Sequence, residues 1–147
     1  VIVSSSPQIR YPDCYGIDMS RMKEFIAFRA AIALHEERGT NYIIEQQYRE
    51  ALGLRKVSRN NFVPNVVKAI YKPFSPEEIS EKIVELVKPQ QLKAEVKIVF
   101  QSIEGLHDAI PNHPGDWYFT GNFPTPGGAH LVNEAFINYV KNDWHKE

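Results

Sequence analysis

The chain has 147 residues, 43% of them hydrophobic and 24% charged, with a formal net charge of −1. That is the size and make-up of one folded domain; it argues against disorder and gives no electrostatic footprint for nucleic acid or an anionic membrane. A single cysteine excludes an internal disulfide and any four-cysteine metal site built by this chain alone. No apolar run approaches the roughly 20 residues that cross a bilayer, and a reducing, cytoplasmic setting is expected.

Residues 1–3, VIV, open the chain with valine instead of methionine, and without the basic flank or small-residue cleavage site of a signal peptide. The chain is therefore expected to be a piece of something larger. The run VIVSSSP predicts a strand buried on both faces, as in a parallel sheet, ending at the serines and Pro7. Ligands bind at that end of an open α/β sheet, although a plain strand exit is the simpler reading. Residues 7–19 read as loop: Pro7 and Pro12 bias Ser6 and Tyr11 to extended backbone, and Gly16 permits a turn.

Ser20 signals the start of a helix that runs through RMKEFIAFRAAIALHEER and stops at Gly39. Its apolar residues cover more than one face, so contacts on two sides are expected. Thr40 caps a second helix, NYIIEQQYREAL, closed by Gly53. LRKVSRNN is a basic connector, and FVPNVVKAIYKPF predicts a third, short helix ended by Pro73. SPEE at residues 75–78 is a strong start signal, with Ser75 as cap, Pro76 first and acidic residues behind it. Ile79, Ile83, Leu86 and Val87 give that helix one apolar face, and Glu78 is placed to pair with Lys82 on the outer face.

AEVKIVFQ at residues 94–101 predicts a strand, and Ser102 with Glu104 a short helix, IEGLHDAI, cut off at Pro111. PNHPGD reads as a turn, WYFTG as an extended piece and NFPTPGG as a loop. A final amphipathic helix carries Leu131, Val132, Ala135, Phe136, Tyr139 and Val140. Two strands do not make a full sheet. The order predicts the C-terminal part of a helix-rich α/β domain, with residues 39–74 as a helical insertion.

Few residues announce chemistry. Cys14 is the one thiol, but no histidine lies near it in sequence to depress its pKa, so packing is the favoured reading. Of His35, His107, His113, His130 and His145, only His107 and His113 are close; a metal would need Asp108 or Asp116 as third ligand, and the spacing matches no metal motif. PGG at residues 126–128 precedes a helix and so presents amides to an anion, but lacks the lysine of a nucleotide loop; helix capping accounts for it better.

A family resemblance sits at SSSPQIRYPDCYGIDM, residues 4–19. Pro7, Arg10, Tyr11, Pro12, Tyr15, Gly16, Ile17 and Asp18, followed by Glu24, Phe25, Ile26 and Ala27, resemble the segment that follows the pyrophosphate loop and its helix in amidophosphoribosyltransferases. SPEEISEKI, VKIVFQSIEGLHDAI and FTGNFPT resemble later parts of the same domain more weakly, so the likeness spans nearly the whole chain apart from the insertion. It implies a type I phosphoribosyltransferase-like fold in a cytoplasmic enzyme. That enzyme makes 5-phosphoribosylamine from glutamine and phosphoribosyl pyrophosphate with Mg²⁺, the first committed step of purine biosynthesis.

By that resemblance the glutaminase cysteine and the pyrophosphate loop lie outside these residues. The fragment alone is expected to be inactive, to hold no Mg²⁺ and to carry no catalytic residue. Phe25 matches a position that helps line the family's ammonia channel, with core packing as its alternative. Some relatives carry an iron–sulfur cluster, with one cysteine directly after the Arg-Tyr-Pro proline and others before the Phe-Thr-Gly motif. Here Asp13 and NHPGDWY occupy those places and Cys14 is one residue off, so no cluster is expected. Asp13, His113 and Asp116 as substitute metal ligands is a disfavoured reading. The expected partner is the rest of the parent chain, itself a homo-oligomer, and an unpaired apolar strand at residues 1–3 predicts self-association of the fragment. The competing reading is a non-catalytic regulatory or oligomerisation module centred on residues 39–74, with LRKVSRNN meeting an acidic partner.

Overall fold

The computed structural model describes residues 1–13, 20–112 and 115–145. Strand β1 (Ile2–Val3) pairs in parallel with β2 (Ile98–Val99), Ile2 opposite Ile98 and Val3 opposite Val99. Between them run α1 (Ile26–Arg38), α2 (Asn41–Leu54), α3 (Lys68–Tyr71) and α4 (Pro76–Val87); after β2 come α5 (Ile103–Ala109), α6 (Trp117–Thr120) and α7 (Pro126–Asn142). The described architecture is helix-rich with a small two-stranded parallel sheet.

The local signals at α4 and α5 act as expected. Ser75 Oγ accepts from the Glu78 amide at 3.1 Å, with Pro76 opening the helix behind it. Ser102 Oγ accepts from the Gly105 amide at 2.9 Å. Other expectations need correction. The helix expected from Ser20 is interrupted: Met22–Glu24 form a 3-10 turn, and Phe25 is extended (φ −88°, ψ 113°) before α1 begins. Met22 and Phe25 are both buried there, and that packing overrides helical propensity. WYFT, expected extended, is the single-turn α6, closed by Gly121 in the left-handed region. The third helix shrinks to four residues and the second strand to two. Glu78 pairs with Arg38 rather than Lys82, whose ammonium is buried between Glu37 and Glu85.

Helix α1 is the centre of the core. It is buried on both sides, through Ala27, Phe28, Ala30, Ala31, Ile32, Leu34 and His35, as its sequence predicts. Phe28 meets Tyr71, Phe136 and Tyr139 edge-on, with ring centroids 6.4, 6.3 and 4.8 Å away. Such pairs add about 0.5–1.5 kcal/mol each beyond their burial. Residues 39–74, read as an insertion, pack into this same core through Ile44, Ala51, Val66, Val67, Ile70, Tyr71 and Phe74. Among the described residues no helix is long and apolar enough to cross a membrane.

Candidate functional site

Of the residues that carry the family likeness, Arg10 and Tyr11 lie where the chain leaves β1 and meet the segment at residues 118–121. The serine hydroxyls are used locally: Ser4 Oγ donates to the Ser6 carbonyl at 3.1 Å and accepts from the Ser6 amide at 3.2 Å, while Ser6 Oγ donates to the Pro7 carbonyl. They form a turn that lets the chain exit the strand. Beyond it, Gln8 is buried and its amide donates to the Pro76 carbonyl and to Ser80 Oγ, both at 2.9 Å, pinning the exit to the start of α4. Arg10 donates from Nε and Nη2 to Gln8 Oε1 at 3.1 and 2.7 Å, and its guanidinium lies 4.9 Å from the Tyr71 ring centre.

Tyr11 is the pivot. It is buried edge-on against Tyr71, with centroids 5.6 Å apart, and burial pushes its phenol up to about 12. Tyr71 Oη donates to the Arg10 carbonyl at 2.8 Å, and its own phenol is held well above the ordinary value, by burial first and by Tyr11 second. On the other side the Arg10 and Tyr11 amides both donate to the Tyr118 carbonyl, at 3.0 and 3.2 Å, and Tyr118 Oη donates to Asp13 at 3.1 Å. Gly121 completes the cluster with φ +75°; a Cβ there would stand 2.7 Å from the Tyr11 ring and 2.8 Å from Asn65 Nδ2. Only glycine satisfies both the backbone and the close approach. Arg-Tyr-Pro and Phe-Thr-Gly, far apart in sequence, are thus one packing unit.

Phe25 is 2% exposed and belongs to the core. Tyr15, Gly16, Ile17, Asp18 and Cys14 lie outside the described residues, as does His113. His107 Nε2 stands 3.0 Å from Asp116 Oδ2 on the surface. Among the described residues no three His, Cys, Asp or Glu side chains are close enough to share a metal. In the PGG turn, a Cβ on Gly128 would come within 2.3 Å of Phe123, so this glycine is there for packing at the start of α7.

Sequence reasoning missed His35, Gln8, Tyr71 and Tyr118. His35 is fully buried; its Nε2–H donates to the Ile70 carbonyl at 2.8 Å, so Nδ1 accepts from Thr40 Oγ1 at 2.7 Å. One imidazole therefore ties α1, α2 and α3 together, and burial holds it below its ordinary range despite the opposing Ile70 bond. Thr40 spends its hydroxyl on His35 and makes no side-chain cap for α2. Nothing local in HEERGTN signals this. Tyr71 had a signal, the helical spacing of its apolar neighbours, which marks core but not the Arg10 contact. A second cluster joins α2 to α7: Arg55 donates in bidentate fashion to Glu134 at 2.6 and 2.8 Å, holding that carboxyl below its ordinary range.

The hydrogen bonds of the strand-exit cluster mainly position backbone. Comparison with family models, curated proteins and solved structures finds no match to this chain.

Proposed function

We propose that the chain is the C-terminal part of the phosphoribosyltransferase domain of an amidophosphoribosyltransferase, the enzyme that makes 5-phosphoribosylamine from glutamine and phosphoribosyl pyrophosphate. The observation that carries this reading is the packing of Tyr11 on Gly121, with Tyr71 behind it. Two segments that resemble the family in sequence, the Arg-Tyr-Pro stretch and the weaker Phe-Thr-Gly one, meet in space, and each supplies a residue the other requires. Parallel pairing of β1 with β2 across intervening helices supports this reading, since such a crossover is the connection of an α/β sheet.

In this reading the chain supplies scaffold. The strand exit fixes Tyr11 against Tyr71 and Gly121, and Phe25 is the residue nearest to a channel role. An apolar ring suits such a wall because it offers neutral ammonia no base and no charge. Mg²⁺ and the pyrophosphate loop belong to the rest of the domain, reached across the open Val3 edge of β1.

The test is ammonia- and glutamine-dependent phosphoribosylamine formation by this chain alone and mixed with the N-terminal portion of an amidophosphoribosyltransferase. No turnover alone and turnover in the mixture is the expected outcome. Turnover by the chain alone at an enzyme's ordinary rate overturns the assignment of a scaffold role.

A further inference from the structure

Strand β2 has a second open edge, on the side away from β1. The Lys97 and Val99 carbonyls accept from the Ile2 and Ser4 amides, both at 2.8 Å. Alternation along a strand then turns the backbone groups of Ile98 and Phe100 the other way, where no described hydrogen bond reaches them. That edge borders a trough of ≈ 930 Å³ whose walls are residues 95–101 and α4. Val84, Val96, Ile98, Phe100 and Phe119 give it an apolar floor.

The rim is acidic. Glu77, Glu81 and Glu85 recur every fourth residue on α4 and so form one stripe; Glu95 and Glu104 add to it, against Arg10 and Lys97 alone. Arg10 is already engaged by Gln8 and Tyr71, and Glu85 by Lys82, whereas Glu77 and Glu81 hold no described ion pair. Unpaired strand edge, apolar floor and surplus negative charge coincide in one place.

We propose that this trough seats an extended, lysine- or arginine-bearing segment of a partner protein, which adds as a third strand along the outer edge of β2. Main-chain bonds to Ile98 and Phe100 supply affinity; one set of alternate side chains covers the floor while the other meets the glutamates. Residues 95–101 span about 23 Å when extended, the reach of a heptapeptide. A helix in the same place leaves the Ile98 and Phe100 groups unpaired. The proposal is independent of the enzyme reading, which concerns the opposite, Val3 edge of the sheet.

Fluorescence anisotropy with three labelled probes tests it on the whole chain: the peptide KVKVKVK, its acidic counterpart EVEVEVE, and KVKVKVK N-methylated on alternate residues in either register. The basic peptide is expected to bind, in a salt-sensitive way, and the acidic peptide at least 10-fold more weakly. One N-methylated register is expected to lose at least as much. Glu77→Lys combined with Glu81→Lys, both on an exposed face, should weaken the basic peptide at least 10-fold with an unchanged circular dichroism spectrum. No binding of the basic peptide, equal binding of the acidic one or of both N-methylated registers, or indifference to the double substitution overturns the proposal.

Discussion

The helical half and the strand half of this molecule are built to different standards. Helices α1, α3 and α7 contribute a continuous aromatic core in which Phe28, Ile70, Phe136 and Ile137 are fully buried. From residue 84 to residue 120, by contrast, no described residue is buried, and neither is any of the first six. The strand half has its ladder bonds and its helix cap but no fully buried residue: Val3 is 73% and Val99 41% exposed, while Ile98 and Phe100 are half-buried against the core. Hydrogen bonding and burial are thus separable here. A ladder bond is worth only about 0.5–1.5 kcal/mol net, whereas a buried aromatic ring is worth several times that. The strands are therefore held by what the helices hold, through Gln8 on α4 and through Tyr11.

The comparison breaks most visibly in the core. Phe28→Ala should lose about 3–5 kcal/mol, since it leaves a cavity between α1, Tyr71 and α7. Val99→Ala should stay within about 0.5 kcal/mol in the same urea titration. A comparable loss at Val99 would mean the sheet contributes as much as the core.

A smaller effect comes from pH. Because burial lowers the pKa of His35 in the folded chain, the unfolded chain takes up the proton first as pH falls below the ordinary value of 6.5. Stability is full above that value and declines as pH drops toward the folded pKa, by up to about 1.4 kcal/mol per unit. Urea midpoints between pH 8 and pH 5 should show this slope, and His35→Gln should flatten it whatever that variant does to the absolute level.

The smallest difference compares the two serine caps, alike in geometry but placed in opposite halves. Ser75→Ala should lose about 1 kcal/mol of global stability. Ser102→Ala should leave global stability within about 0.5 kcal/mol and instead speed amide exchange at Gly105 and Leu106. Equal global losses would show that α5 unfolds together with the core.

What was legible in the sequence follows the same division. Signals that act over three or four residues were readable: Ser75 with Pro76, Ser102 with its turn, and the two-sided burial of α1. Features decided by distant partners were not. Phe25 breaks a helix because the core takes its ring, and WYFT coils into a turn whose end, Gly121, is dictated by Tyr11. His35 looks like any helical histidine until Ile70 and Thr40 arrive on either side. The candidate cluster was half legible, because Arg10, Tyr11 and Gly121 stood in recognisable motifs while Gln8, Tyr71 and Tyr118 stood in none.

The pairing of Ile2 with Ile98 also fixes an order of events. Closing so long a loop in an unstructured chain costs about 4 kcal/mol of entropy, more than a few two-residue ladder bonds return. The sheet therefore has no means of nucleating folding. It zips only after the helices have collapsed and brought residues 4–8 beside α4, at which point the open loop has become a short one. The most extended part of the molecule should therefore be the last to form, and in unfolding the first to let go.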